Sequence, residues 1–362
     1  MCGCGCSVTS IGAFMRHFAI VPCLGLGLIC FAVFGWTLDA PTPEPRPEGA
    51  SQPWNASVHP PVYGIAWSPT GTELVAMHDS TMAGPANLVQ HDLRGPSPQA
   101  SGLPVRGASA VAWLQDELLV GGHDGQFWAN AQRDDRVAWQ FHGKLRVRQI
   151  AAANGRTAIF TEDNRLWLGD KGNPTQVHLE WPFGITSLHL SPDGSLLLAS
   201  GNSHRVVLLN GHSGKILREW DAQADQVVSA FANRSASEAT DEERQTTPNV
   251  VFANQTGLLT VADSATGTIL QERLLNSHKD GIACLAVSPD GRTVALGSYG
   301  RTVALWDLWS LRPGVLKEGH SGCVCCLEFS PDGRSLASGG ADGGVCIWDV
   351  GTNALVHRLW RE

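Results

Sequence analysis

The chain has 362 residues, 43% of them hydrophobic, which is enough for a packed core and for one or two average domains. Forty glycines and twenty prolines suit a fold made of many turns. The formal net charge of −8, with no cluster of Lys or Arg, argues against a nucleic-acid partner, whose phosphates require a basic face.

Residues 1–17 read as a leader. Cys2, Cys4 and Cys6 alternate with other residues there, whereas zinc pairs leave two to four residues between ligands. Met15-Arg16-His17 is also an ordinary start, so either Met1 or Met15 can open the chain. Residues 18–38, FAIVPCLGLGLICFAVFGWTL, carry no charge. As a helix this run would reach roughly 31 Å, close to the hydrocarbon thickness of a bilayer. It reads as a transmembrane anchor or uncleaved signal. A secretory signal is the rival, but its apolar core is usually about 7–15 residues, and Leu38-Asp39-Ala40 is a poor cleavage site. Arg16 lies closer to the run than Arg46 does, and positive residues stay on the cytoplasmic side. The expectation is therefore a single-pass membrane protein with its folded part outside the cytoplasmic membrane. A folded part facing the cytoplasm, or one secreted after cleavage, is the alternative. Residues 39–57 form a linker in which Pro41, Pro43, Pro45 and Pro47 favour an extended, semi-rigid chain.

From residue 58 to 362 the sequence repeats. Ser68-Pro69-Thr70-Gly71, Ser191-Pro192-Asp193-Gly194, Ser288-Pro289-Asp290-Gly291 and Ser330-Pro331-Asp332-Gly333 each sit between two short apolar runs. The last two turns are 42 residues apart, and Ser68 to Ser191 is 123 residues, or three steps of 41. Two hidden units therefore lie between the first pair, turning at Gln115-Asp116 and Asn154-Gly155. Ser191 to Ser288 spans 97 residues, two steps plus an insertion. The hidden unit there begins with a strand at 227–232. Residues 233–248, NRSASEATDEERQTTP, lack apolar periodicity and read as a mobile loop between its first two strands. Seven units result. Registering their second turns puts Asp124 and Asp163 in the slot of Asp342, and Trp128 and Trp167 in a common slot. A strand at 354–360 completes the last unit from its own end of the chain, unless residues 54–59 serve.

The final unit is the best formed: HSGCVCCLEFSPDGRSLASGGADGGVCIWD, His320 to Asp349. Gly319-His320, the Ser-Pro-Asp-Gly turn and Trp348-Asp349 recur one unit earlier as His278, Ser288 to Gly291 and Trp306-Asp307. These residues resemble the WD40 repeat, whose period they match. The resemblance implies an all-β, seven-bladed propeller, with the motif legible in four blades. It also implies that His320, Ser338, Asp342 and Trp348 form a structural hydrogen-bond tetrad. The same Ser, His and Asp invite a hydrolase reading, but a G-x-S-x-G nucleophile elbow is absent. In the unit before it, Leu296 and Gly300 stand where the Ser and Asp would be, so that tetrad is broken.

Cys284, Cys323, Cys325, Cys326 and Cys346 all fall in the last two units. Their number is odd, their spacing is not that of a zinc site, and adjacent Cys325 and Cys326 point to opposite faces of a strand. Buried thiols are expected, with a disulfide as the alternative; the crowding pulls against an oxidising compartment. Trp67, Trp113, Trp128, Trp167, Trp306 and Trp348 lie in predicted strands and read as core. No P-loop and no metalloprotease helix motif is present, so neither enzyme chemistry, cofactor nor metal is expected. The family resemblance implies a scaffold for protein partners. The face it would use carries His78, Asp79, His123, Glu162, Asn202, His204, Tyr299 and Arg301. The rival reading is a propeller enzyme or small-molecule sensor with a site in the central channel.

Overall fold

Strands pair with their sequence neighbours throughout. The computed structural model describes residues 60–79, 87–105, 107–129, 131, 137–141, 145–170, 174–177, 184–232, 248–275, 280–310 and 312–360. Among them are seven four-stranded antiparallel sheets, each in chain order apart from the direction of reading. Blade 1 is β1 Val62–Trp67, β2 Glu73–His78, β3 Leu88–Asp92 and β4 Gln99–Gly102. Blade 2 is β5 Ala108–Leu114, β6 Glu117–Gly122, β7 Gln126–Ala129 and β8 Trp139–Gln140. Blade 3 is β9 Val147–Ala153, β10 Arg156–Thr161, β11 Leu166–Asp170 and β12 Thr175–Val177. Blade 4 is β13 Ile185–Leu190, β14 Leu196–Gly201, β15 Arg205–Asn210 and β16 Ile216–Asp221. Blade 5 is β17 Val227–Ala232, β18 Asn249–Asn254, β19 Leu258–Ala262 and β20 Ile269–Leu274. Blade 6 is β21 Ile282–Val287, β22 Thr293–Ser298, β23 Thr302–Asp307 and β24 Pro313–Glu318. Blade 7 is β25 Val324–Phe329, β26 Ser335–Gly340, β27 Val345–Asp349 and β28 Leu355–Leu359.

The first strand of each blade packs on the first strand of the next, and β25 packs on β1, so the sheets close a ring. These first strands are innermost. One apolar cluster fills each gap between blades, including the gap between the last and the first. That is the physical reason a single unit cannot stand alone: each sheet buries its faces only against its neighbours. Glycines on second strands let the blades approach. A Cβ on Gly121 would lie 2.5 Å from Val147, one on Gly297 2.8 Å from Val324, and one on Gly339 2.6 Å from Val62. Each valine opens the first strand of the next blade.

The Ser-Pro-Asp-Gly turns have a shared chemistry. Ser191, Ser288 and Ser330 donate their hydroxyls to Asp193, Asp290 and Asp332 at 2.5, 2.5 and 2.6 Å. The same hydroxyls accept the N–H of Leu196, Thr293 and Ser335 at 2.9 Å. Gly194, Gly291 and Gly333 sit at φ 73°, 70° and 70°, where other residues are strained. The hidden units turn at the expected places by a different device. Gln115 has φ 52°, and Asn154 and Asn154's neighbour Gly155 have φ 46° and 76°, the geometry of a two-residue hairpin.

Trp128 lies opposite Val120 and Trp167 opposite Ile159, while Cys346 lies opposite Ser338. The two tryptophans thus share a slot, and in blade 7 that slot holds Cys346. Trp67, Trp128, Trp306 and Trp348 are buried. Trp113 and Trp167 are only half-buried, a correction to their reading as core, because each lies near the rim of its cluster. Blade 7 is completed by β28, which pairs with β27. Residues 54–59 lie outside the described residues, as do the leader, the apolar run 18–38, the linker, residues 233–247 and His278. Among the described residues no helix is long and apolar enough to cross a membrane.

Candidate interaction face and buried tetrad

In six blades the residue after the second strand donates its N–H to the residue before the first strand. Asp79 bonds Pro61, His123 bonds Gly107, Glu162 bonds Arg146, Asn202 bonds Gly184, Tyr299 bonds Gly281 and Ala341 bonds Cys323, all at 2.8–3.2 Å. This bond ties every such turn to the link arriving from the previous blade. The turns therefore share one face of the ring, although Asp79 and Tyr299 are far apart in sequence. Glu162, Asn202, His204 and Arg301 are exposed on it, and Asp79, His123 and Tyr299 half-exposed. Tyr299 Oη donates to Gln226 Oε1 at 3.2 Å, joining blade 6 to the start of blade 5. Arg301 adopts φ 75° at its turn. His78 is the exception. It is only 2% exposed, with Nδ1 3.1 Å from the Pro60 carbonyl, and supports the turn from beneath. The reading that it presents itself to a partner is corrected: it is the last residue of β2, and its side chain points inward.

On blades 1 to 3 the face carries a charged cluster. Burial pushes the His123 pKa down and Arg146 adds to this, while Asp79, Glu162 and Asp124 pull it back. Burial also lowers the pKa of Arg146, helped by Arg148 and opposed by Glu162, Asp79 and Tyr63. Arg148 forms an ion pair with Glu162 at 3.5 Å. Residues 63, 79, 123, 146, 148 and 162 thus share one electrostatic neighbourhood built from three blades. Tyr63, Arg146 and Arg148 were not among the sequence candidates. Their signal was positional: each sits at or just before the start of a first strand. Asn202, His204, Tyr299 and Arg301 occupy the same face on blades 4 and 6.

The tetrad lies inside blade 7. His320 Nδ1 is 3.0 Å from Asp342 Oδ1, and His320 Nε2 is 2.8 Å from Ser338 Oγ. Trp348 Nε1 donates to the same Oγ at 2.9 Å. Asp342 also accepts the N–H of Ser321 at 2.8 Å and of Gly344 at 3.1 Å. Burial opposes charge on His320, yet hydrogen bonds to Asp342 and Cys346 outweigh it and raise its pKa to about 9. Burial likewise opposes charge on Asp342, but the hydrogen bonds from His320, Ser321 and Gly344 hold its carboxyl below the ordinary value. Two glycines make room: a Cβ on Gly340 would lie 2.5 Å from Asp342 Oδ1, and one on Gly319 2.5 Å from Trp348 Cζ2. Ser338 is 0% exposed and its oxygen is held between an imidazole and an indole. A nucleophile needs a path to substrate, and this hydroxyl has none. In blade 6 buried Leu296 replaces the serine, and among the described residues the buried Trp306 Nε1 has no hydrogen-bond partner. Among the described residues no group of three or more His, Cys, Asp or Glu is placed to hold a metal.

A closed ring of seven four-stranded blades, with a His-Ser-Trp-Asp tetrad in the last, defines a WD40-type propeller. The family description "WD domain, G-beta repeat" matches residues 267–307 and 313–349, and the chain is a WD40-repeat protein. It is similar to "Cell division cycle 20.6, cofactor of APC complex" of Arabidopsis thaliana, 23% identical over 287 residues, covering 72% of this chain and 61% of that one. It is also similar to "THO complex subunit 3" of the same plant, 23% identical over 250 residues, covering 68% and 63%. A shorter match of 144 residues, 32% identical, is to "Apoptotic protease-activating factor 1" of Danio rerio, covering 40% of this chain and 10% of that one. The chain thus spans about six-tenths of the length of the first two of these relatives.

Proposed function

We propose that the propeller is a non-catalytic docking platform for protein partners, held at a membrane by residues 18–38 and facing away from the cytoplasm. The observation that carries the docking reading is the shared turn-to-link bond. It gathers Asp79, His123, Glu162, Asn202 and Tyr299 from five blades onto one rigid face. Rigid scaffolds that present variable turns are suited to recognition, since little order is lost on binding. Two of the similar proteins are named as a cofactor and a subunit of complexes, which supports the same reading.

The test compares capture by the full-length protein and two variants. Asp79→Ala/His123→Ala/Glu162→Ala should lose the partners that the parent retains. Arg334→Ala, on an exposed Ser-Pro turn at the other end of the sheets, should retain them. Capture that survives the triple substitution overturns the assignment of the face. Protease protection in intact cells or spheroplasts tests the topology: digestion of the propeller down to an anchor-sized fragment supports it, and survival until the membrane is broken refutes it.

A further inference from the structure

The five cysteines of blades 6 and 7 are not equivalent. Cys284 and Cys346 are 8% and 1% exposed, with their thiols aimed at the carbonyls of Val324 and Gly319 at 3.4 and 3.6 Å. Cys326 is wedged at the seam between blades 7 and 1. Its Sγ lies 3.8 Å from the Val62 carbonyl and 3.9 Å from that of Gly339, and a Cβ on Gly339 would come within 2.6 Å of it. Cys323 and Cys325 differ from these. They are half-exposed, as Cys326 is, but neither is wedged into a seam between blades.

Their geometry follows from a β-bulge. Val324 pairs with Gly340 and Cys326 with Gly339, so Cys325 is an extra residue with no partner on β26. Cys323 and Cys325 are two positions apart. In a fully extended strand their Cα atoms would stand about 6.6 Å apart, inside the outer limit for a disulfide, and a bulge shortens that span. Cys325 Sγ lies 3.6 Å from the Cys323 carbonyl and Cys323 Sγ 3.6 Å from that of Val324, so both thiols are held against the same short stretch of the bulge.

We propose that Cys323 and Cys325 form a reactive dithiol that closes to a disulfide on meeting a small-molecule disulfide such as oxidised glutathione. The Cys323 thiolate attacks one sulfur of the oxidant and releases one glutathione thiolate. The Cys325 thiol loses its proton and attacks the Cys323 sulfur, expelling the second glutathione. Two protein thiols are oxidised and one glutathione disulfide is reduced to two thiols. The division of labour has a physical cause. The hydrogen bond from Cys325, against the effect of burial and with help from His320, lowers the Cys323 pKa. The same hydrogen bond, with burial, raises that of Cys325. A thiolate is the attacking species in such exchange, so Cys323 starts it and Cys325 resolves it.

The experiment treats the full-length protein with oxidised glutathione and then alkylates the remaining thiols. Mass analysis of the peptide holding Cys323, Cys325 and Cys326 should show loss of two hydrogens, with Cys326 alone alkylated. Cys325→Ser should instead retain one glutathione on Cys323, because the resolving thiol is gone. Cys323→Ser should leave Cys325 unmodified under the same exposure. A bridge that involves Cys284, Cys326 or Cys346, an unmodified Cys323, or a Cys325→Ser protein that still loses two hydrogens overturns the proposal. Should Cys325→Ser lose the β-sheet circular dichroism of the parent, the position of the bridge in the parent protein decides alone.

Discussion

Ser338 holds the tetrad together because its one oxygen meets both His320 and Trp348. Removing it strands two buried groups, so Ser338→Ala should cost about 1–3 kcal/mol. Trp348→Ala also removes a buried aromatic and should cost about 3–5 kcal/mol. Urea unfolding of the two variants measures both. A Ser338→Ala protein of unchanged stability that had lost a hydrolase activity would show the structural reading to be wrong. These four residues were legible in the sequence because the network demands particular side chains at particular offsets. The cluster of Tyr63, Asp79, His123, Arg146, Arg148 and Glu162 was legible only in part. Its members come from three blades, and only ring closure brings them together.

At the scale of the blade, units with a Ser-Pro-Asp-Gly turn could be read directly. That turn needs a serine to bridge Asp and the next strand and a glycine at positive φ. Blade 2 asks only for positive φ at Gln115 and blade 3 for positive φ at Asn154 and Gly155, so these turns leave a fainter trace. Blades 6 and 7 share Trp at the same position but not its partner. Among the described residues the buried Trp306 N–H has no partner, whereas that of Trp348 reaches Ser338. Trp306→Phe should therefore cost only what the smaller ring loses in packing, while Trp348→Phe should cost about 1–3 kcal/mol more, since the loss of a satisfied donor is felt by its acceptor. Equal losses in denaturant midpoint would refute the distinction.

For the whole ring, the seam between blades 7 and 1 is the place where the two ends of the propeller meet. Trp67 Nε1 donates to the Glu328 carbonyl at 3.1 Å, and the Trp67 N–H donates to Glu328 Oε2 at 3.3 Å. The Glu328 residue is half-buried but its carboxyl end is enclosed, and burial raises its pKa to about 8 despite the bond from Trp67. The ordinary value is 4.5, so between the two values the folded ring keeps a proton that the unfolded chain has released. Stability from this group is greatest below 4.5 and is lost as pH rises through about 8. Glu328→Gln should flatten that decline, and melting temperatures across this window measure it. A parent protein whose stability rises through the same window, with the variant unchanged from it, would refute the assignment.

Because β28 closes blade 7 by itself, the break in the chain at the seam has no special place in the ring. A link from an outermost strand to the next innermost one must cross three strand spacings, about 14 Å. Ala222 to Gln226 already do this between β16 and β17, and five extended residues reach about 17 Å. A comparable bridge from Leu359 to Val62 would make the covalent circle complete, and it could then be cut elsewhere. A circularly permuted propeller with its new ends inside residues 233–248, between β17 and β18, should fold and melt cooperatively like the parent. Failure of that permutant to fold, with the bridge length varied, would mean that the natural ends hold the ring in a way the pairing of its strands does not reveal.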